Sequence, residues 1–219
     1  MPPAGEAGLE KRSGTPAETR SSLHAVAEWL LAGPQHAGTG TIRLKVTPGG
    51  FATLDGAVGV DGDEVVVDTG GDVLRARLTG SLADVAARVG IEPQAPEGLY
   101  SDGSGATPDT VLQVDLHHAR ELADWFQRAQ VALRTFAPSE TPVLWPEHFD
   151  LGISVDRVNY GASPGDGHIP EPYAYVGPWE TPTGAFWNQP FGAARSWREL
   201  PDDKAVTSFF LEGRAQLRS

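Results

Sequence analysis

Hydrophobic and polar residues alternate in several short segments of the first half of the chain. Between residues 41 and 47, Ile42, Leu44 and Val46 fall on one side of an extended chain and polar residues on the other, as expected of a half-buried strand. Turn sequences rich in Gly and Asp separate this segment from further apolar stretches at residues 51–54, 58–60, 64–68 and 73–78. The pattern predicts an antiparallel meander of four or five strands.

Apolar residues spaced three and four positions apart predict helices between and around the strands. Each predicted helix follows a residue that can cap its first turn; these residues are Ser21-Ser22, Ser81, Asp115 and Asp202. Gly33-Pro34 should end the first helix, Gly90 the second and Pro138 the third, because Gly and Pro do not continue a helix readily.

The second half of the chain contains another cluster of apolar segments that predict strands. They lie at residues 143–145, 149–155, 158–162, 173–177, 185–188 and 191–197. Because strands occur in clusters rather than alternating singly with helices, we expect an α+β fold in which antiparallel sheet packs with helices. The expected order is one helix, five strands, two helices, five strands drawn from these six segments, and one helix.

The domain organisation follows from the point in the chain at which hydrophobic residues begin to recur at regular spacing. Residues 1–20 show none and are predicted to form a disordered tail. Residues 21–219 should form a single domain with two halves, 21–137 and 138–219. The pattern leaves open whether these halves build two sheets or one curved sheet.

Charge and composition narrow the expected partners. The net charge is -12, from 29 acidic against 17 basic residues, which argues against nucleic acid and against an anionic membrane surface as partners. There are no cysteines, so disulfides and thiolate chemistry are excluded. No apolar run reaches the roughly 18 residues of a membrane helix, and the cytoplasm is the expected location. The abundance of Ala, Gly, Pro, Asp and Arg is typical of a GC-rich bacterial genome.

The densest group of chemically capable side chains lies between Trp145 and Trp179. If residues 149–162 form a hairpin, its open end brings the segment at His148 close to residues 163–171, so we expect both to border one cleft. The candidate catalytic residues are His148, Asp150, Asp166, His168 and Glu171. The candidate ligand-binding residues, mostly aromatic, are Trp145, Tyr160, Ser163, Tyr173 and Tyr175.

Three interpretations of this group remain open. The histidines and carboxylates could converge on a divalent metal such as zinc, iron or manganese, although no tight metal motif is present. Alternatively, a histidine acts as general acid and base while Asp150 orients it. In the third interpretation the aspartates only bond to turn backbone and the histidines are solvated. Elsewhere, the adjacent His117 and His118 should point about 100° apart on a helix, so we expect surface residues that do not share a metal.

Ordered landmarks along the chain resemble a known bacterial family. They are Ile42-Arg43-Leu44, Thr47-Pro48-Gly49-Gly50, Phe149-Asp150-Leu151, Ser163-Pro164-Gly165, Tyr173-Ala174-Tyr175 and Phe186-Trp187. Together they are similar to the uncharacterised family catalogued as domain of unknown function 5996, over about Leu23 to Leu217. The resemblance implies a single integrated domain, and it implies no activity, cofactor or catalytic residue.

These patterns predict a small-molecule-binding protein or enzyme that uses a His/carboxylate cluster in an aromatic-lined cleft; they do not decide whether it is an enzyme. The alternative is a non-catalytic interaction module, such as a homodimer whose aromatic last third forms the interface. A cleft that encloses ionisable groups would favour the first, and a flat exposed apolar patch the second.

Overall fold

The computed structural model describes residues 14–96, 98–100, 102–180 and 182–218, and these residues form twelve strands together with helices. The first five strands are β1 (Leu44–Thr47), β2 (Gly50–Thr53), β3 (Val58–Asp61), β4 (Glu64–Asp68) and β5 (Val73–Arg77). Two short strands form a separate pair, β6 (Thr79–Ser81) and β7 (Val111–Gln113). The last five are β8 (Val143–Trp145), β9 (Asp150–Val155), β10 (Val158–Ser163), β11 (Tyr173–Pro178) and β12 (Ala193–Ser196).

Ten of these strands form one continuous antiparallel sheet. Its order is β12-β11-β10-β9-β8-β1-β2-β3-β4-β5, so each half of the chain supplies five neighbouring strands. The halves join where β1 pairs with β8, with Leu44 opposite Leu144. Both leucines are fully buried. The chain therefore builds one sheet, which answers the question that the sequence pattern left open, and the α+β class is confirmed.

Helices lie at the predicted places along the chain. They are α1 (Pro16–Val26), which continues through a π-helical segment (Ala27–Ala32) into α2 (Gly33–Thr39), and then α3 (Leu82–Val89), α4 (Leu116–Phe136) and α5 (Asp203–Gln216). The caps predicted at Ser81, Asp115 and Asp202 all accept hydrogen bonds from backbone N–H groups of the first turn. Gly90 ends α3 in a left-handed conformation with φ 71°, which a residue without Cβ adopts at little cost.

The first helix differs from the prediction at both ends. It begins at Pro16 rather than after Ser21-Ser22, because Thr15 and Glu18 form a capping box. Of the predicted tail, residues 1–13 lie outside the described residues, whereas 16–20 are helical. The prediction that Gly33-Pro34 ends the helix is wrong. Pro34 lacks an N–H and crowds the carbonyl one turn earlier, and the wider π-helical turn before it accommodates this misfit.

The remaining differences concern strands near the end of the chain. Residues 185–188 form a turn and an irregular segment rather than a strand, and β12 covers only part of the segment predicted at 191–197. The short β6 and β7 were not predicted; each has only three residues, too few to show an alternation.

The core lies on the helical side of the sheet, where α4 packs against strands from both halves and α5 packs against α4 and β11. Tyr160 of β10 lies between Phe136 and Phe210, with ring centroids 4.5 and 5.9 Å away. Trp125 of α4 is fully buried and donates its indole N–H to the carbonyl of Ser163 at 2.9 Å. Among the described helices, none has the length and apolarity needed to cross a membrane.

Candidate functional site

Alternate residues of β9, β10 and β11 face opposite sides of the sheet. One set is buried in the core; it includes Leu151, Ile153, Tyr160, Ala162, Ala174 and Val176. The other set lines a cleft of about 840 Å³ on the opposite face; it includes Asp150, Asn159, Ser163, Tyr173, Tyr175 and Gly177. The sheet therefore supplies the floor of the cleft, and the loops at its ends supply the walls.

Two glycines in the middle strands make room for a tyrosine ring on this floor. Tyr175 lies opposite Gly161, which lies opposite Gly152 on the next strand. A Cβ atom on Gly161 would stand only 2.5 Å from Cζ of Tyr175, and one on Gly152 would stand 3.0 Å from its hydroxyl. The ring therefore lies flat across the two strands, and its hydroxyl donates a hydrogen bond to Oδ2 of Asp150.

Asp150 is the carboxyl group at the centre of the floor. Burial raises its pKa, against the opposing effects of the hydrogen bond from Tyr175 and the nearby charge of His148. Burial and the same carboxyl also raise the pKa of Tyr175 well above its usual value. Asp150 is thus a group that holds its proton to higher pH than an ordinary aspartate, while facing a cleft open to solvent.

Asp166 borders the same cleft but has the opposite character. Its Oδ1 accepts the backbone N–H groups of His168 and Ile169 at 2.6 and 2.7 Å, and its Oδ2 accepts the hydroxyl of Tyr173 at 2.6 Å. Burial alone would raise the pKa of Asp166, but these three hydrogen bonds outweigh it and the pKa is lowered. This carboxylate is charged, shapes its own loop, and fixes the ring of Tyr173.

Helix α1 contributes cleft residues that the sequence analysis missed. His24 stacks on Phe149, with ring centroids 5.5 Å apart, and its Nε2 donates to the carbonyl of Pro146 at 2.7 Å. Burial lowers the pKa of His24, more than the neighbouring Glu28 raises it. Arg20, one turn earlier, also lines the cleft. The spacing of Arg20, His24 and Glu28, each four residues apart, was the available signal, since it places all three on one helical face.

Glu28 anchors a loop at the end of the cleft. It lies in the π-helical segment, where it is only 5% exposed. Its carboxylate accepts the hydroxyl of Tyr100 at 3.0 Å and the backbone N–H of Ser104 at 2.9 Å. Burial and this carboxylate raise the pKa of Tyr100. Glu28 therefore holds in place Ser104, which lines the cleft, and π-helical turns are frequent near functional sites.

Phe149 connects the core to the cleft through an unusual backbone conformation. Its φ is 51°, in the left-handed region that bulky residues rarely adopt, and its side chain is only 1% exposed. The ring packs edge-on against Phe51 and Phe126 at 5.3 and 5.6 Å. This core packing holds the conformation, and it places the neighbouring His148 and Asp150 along the cleft.

The structure brings six of the predicted site residues to this cleft: His148, Asp150, Ser163, Asp166, Tyr173 and Tyr175. His148 is exposed, with its Nε2 3.8 Å from Glu147. Ser163 is buried and accepts the backbone N–H of Gly165 at 3.1 Å. The two loops at Glu147–Asp150 and Ser163–Asp166 therefore meet, as predicted.

Four predicted residues lie elsewhere. Tyr160 belongs to the core because it occupies the other face of β10. Trp145 lies outside the cleft lining with Arg43 over its ring, 5.6 Å from the centroid. His168 is exposed and does not line the cleft, and its Nε2 lies 3.0 Å from Oε1 of Gln189. Glu171 pairs with Arg198 at 3.1 Å and lines a different pocket.

Within the part of the chain that the structure describes, the five predicted acid–base residues do not gather as metal ligands. His168 and Glu171 do not line the cleft that holds Asp150. Asp166 is already saturated by three donors within its loop. The metal interpretation of this particular group is therefore not supported by its geometry.

The fold and the cleft define the protein as an α+β chain whose ten-stranded antiparallel sheet carries a cleft on one face. In comparison with known proteins, the chain matches no protein-family model, no curated protein and no solved structure. The family resemblance noted from the sequence stays a prediction.

Proposed function

We propose that this protein binds a small molecule in the cleft and that Asp150 transfers a proton to or from it. The observation that carries the proposal is the position of Asp150: a carboxyl with a raised pKa, hydrogen-bonded by Tyr175, on the floor of an accessible cleft. Carboxyl groups with raised pKa values that face a cleft are typical of general acids and bases.

The size and lining of the cleft support a small-molecule ligand. Its volume of about 840 Å³ lies within the range of ligand pockets in proteins. Tyr173 stacks with Phe191 at 6.2 Å on one side, and Trp179 is 64% exposed at the rim. These rings offer flat apolar surfaces to a ligand, while the carboxyl and imidazole groups fix its polar parts.

The residues would divide the work as follows. Asp150 exchanges the proton, and Tyr175 holds its carboxyl in place from the neighbouring strand. His148 lies exposed on the wall, where it can contact a polar group of the ligand. Asp166 positions Tyr173 without exchanging a proton, since its pKa is lowered. This differs from the role predicted from sequence, in which Asp150 only orients a histidine.

The packing of the last third of the chain favours a protein that binds a small molecule in its cleft rather than an interaction module whose aromatic residues contact a partner. Phe186 packs against Phe209 at 5.7 Å and against Trp187 at 4.9 Å. These aromatic residues therefore serve the protein's own core rather than a partner. With a net charge of -12, we propose neither nucleic acid nor a membrane as partner, and the cytoplasm as the location.

A screen of water-soluble metabolites by ligand-observed NMR tests the proposal. Binders should compete for one site, and Asp150→Asn and Tyr175→Phe should each weaken them by about tenfold, as expected when a hydrogen-bonding group on the cleft floor is changed or displaced. Glu171→Gln, outside the cleft, is the matched control and should leave binding unchanged. Binders that tolerate both cleft variants, or a screen without any binder, would count against the proposal.

A further inference from the structure

A group of three metal-binding side chains lies on the first two turns of α4, apart from the cleft. His118 Nδ1 is 2.9 Å from Oε2 of Glu121, and His117 Nε2 is 3.7 Å from Oε1 of the same carboxylate. One ligand atom from each of the three residues lies within 4.8 Å of the others. This is the one such group among the residues that the structure describes.

The arrangement brings together His117 and His118, which the sequence pattern predicts not to share a metal. Neighbouring helix residues do point about 100° apart. However, Glu121 lies three residues after one histidine and four after the other, so its carboxylate stands between them. The imidazole rings are tilted toward each other, with centroids 5.4 Å apart. Ligand atoms around tetrahedral zinc lie about 3.4 Å apart. Small side-chain rotations would therefore bring the three ligand atoms to the spacing that zinc requires.

The three residues line a second pocket. The other ligands of a bound metal would occupy this pocket. Its volume is about 340 Å³, and its other walls include Arg20, Glu171, Trp197 and Arg198. Glu171 and Arg198 neutralise each other. The indole N–H of Trp197 is buried and has no hydrogen-bond partner among the described residues. The pocket thus offers the guanidinium group of Arg20, which favours an anionic or water co-ligand.

We propose that His117, His118 and Glu121 bind a divalent transition metal such as zinc. Two imidazole nitrogens and one carboxylate oxygen are a donor set that suits zinc and its first-row neighbours and leaves positions for water or a small anion. Because all three side chains are at least partly exposed, the metal can enter without unfolding the helix. The proposal is independent of the proposed function, since none of these residues lines the cleft.

Isothermal titration calorimetry tests the proposal, with zinc sulfate titrated into the full-length chain that carries no affinity tag. We expect one zinc ion per chain. His118→Ala and Glu121→Gln should each weaken binding by at least about tenfold, and His36→Ala, a histidine on α2, should leave it unchanged. Circular dichroism of each variant verifies that α4 remains folded.

Cobalt(II) provides a second readout, because its visible spectrum reports nitrogen and oxygen ligation directly. The wild type and His148→Ala, a cleft variant, should show the same cobalt spectrum, whereas Glu121→Gln should lose it. The inference is overturned if zinc gives no saturable binding, if binding survives both α4 variants, or if His148→Ala abolishes it.

Discussion

The hydroxyl of Tyr175 on β11 reaches the carboxyl of Asp150 on β9 across the strand between them. The contact exists because Gly161 and Gly152 carry no side chains where the ring passes. Asp150 on the cleft floor is thus held by a residue from two strands away, and this contact depends on the absence of side chains at Gly161 and Gly152.

Gly161→Ala should displace Tyr175 and separate it from Asp150. The new Cβ would stand 2.5 Å from Cζ of Tyr175 and also 2.5 Å from the carbonyl oxygen of Leu151, so the ring or the strand must move. We expect a loss of about 1–3 kcal/mol in the free energy of unfolding, measured by urea denaturation. Gly177→Ala is the matched control, because its Cβ would meet its nearest neighbour at 3.4 Å, an ordinary contact.

A double variant separates the ring from the backbone as the source of that loss. If the clash with the ring dominates, Gly161→Ala should cost less stability in a Tyr175→Ala background than in the wild type. Strict additivity of the two substitutions would show that the glycine is not there to accommodate the tyrosine.

Asp150→Asn should change how stability depends on pH. Because burial raises the pKa of Asp150 in the folded protein, the fold favours the protonated form. Its contribution is full below the unfolded pKa of about 3.9 and is lost as the pH rises through the folded pKa. The wild type should therefore lose stability relative to Asp150→Asn between pH 4 and pH 8, as measured by urea denaturation. A constant difference across this range would contradict the raised pKa.

Asp166→Asn should show the opposite trend. The pKa of Asp166 is lowered by its three hydrogen bonds, so the charged form stabilises the fold above the unfolded pKa, and this contribution is lost as the pH falls through the folded pKa. At pH 7 we expect the variant to lose about 1–2 kcal/mol of unfolding free energy, a difference that shrinks below about pH 4. Equal losses at pH 7 and pH 3 in thermal denaturation would refute this role.

His24→Gln should remove a loss of stability in mild acid. Burial lowers the pKa of His24, so the unfolded chain takes up a proton first as the pH falls through about 6.5. Stability that is present above this pH is therefore lost below it. Glutamine can still donate to the carbonyl of Pro146 without titrating. The unfolding free energy of the wild type should fall more steeply than that of His24→Gln between pH 7.5 and pH 5; parallel curves would exclude the effect.

Local signals in the sequence located much of the fold. Ser81 and Gly90 bound α3 as predicted because capping depends on residues within one turn. The turn at Asp61-Gly62-Asp63 similarly places the hairpin of β3 and β4. The sequence also placed the candidate site at the open end of the β9–β10 hairpin, since that proximity follows from the short connection alone.

Long-range packing determined what the sequence could not show. His24 meets Pro146, which lies 122 positions away, and no local pattern links the two. The strand alternation showed that Tyr160 and Gly161 face opposite sides of the sheet, but not which side the helices would cover. Tyr160 was therefore predicted as a ligand contact although it lies in the core.

The widened turn at Ala27–Ala32 determines in which direction around the helix axis the side chains of α1 face. An α-helix turns by about 100° for each residue, so removing the one additional residue of this turn would swing Arg20 and His24 around the helix axis by roughly that angle. Both would then leave the wall of the cleft, although every strand kept its register. The cleft can therefore be dismantled by a change in residue count at a place that contributes no side chain to its floor.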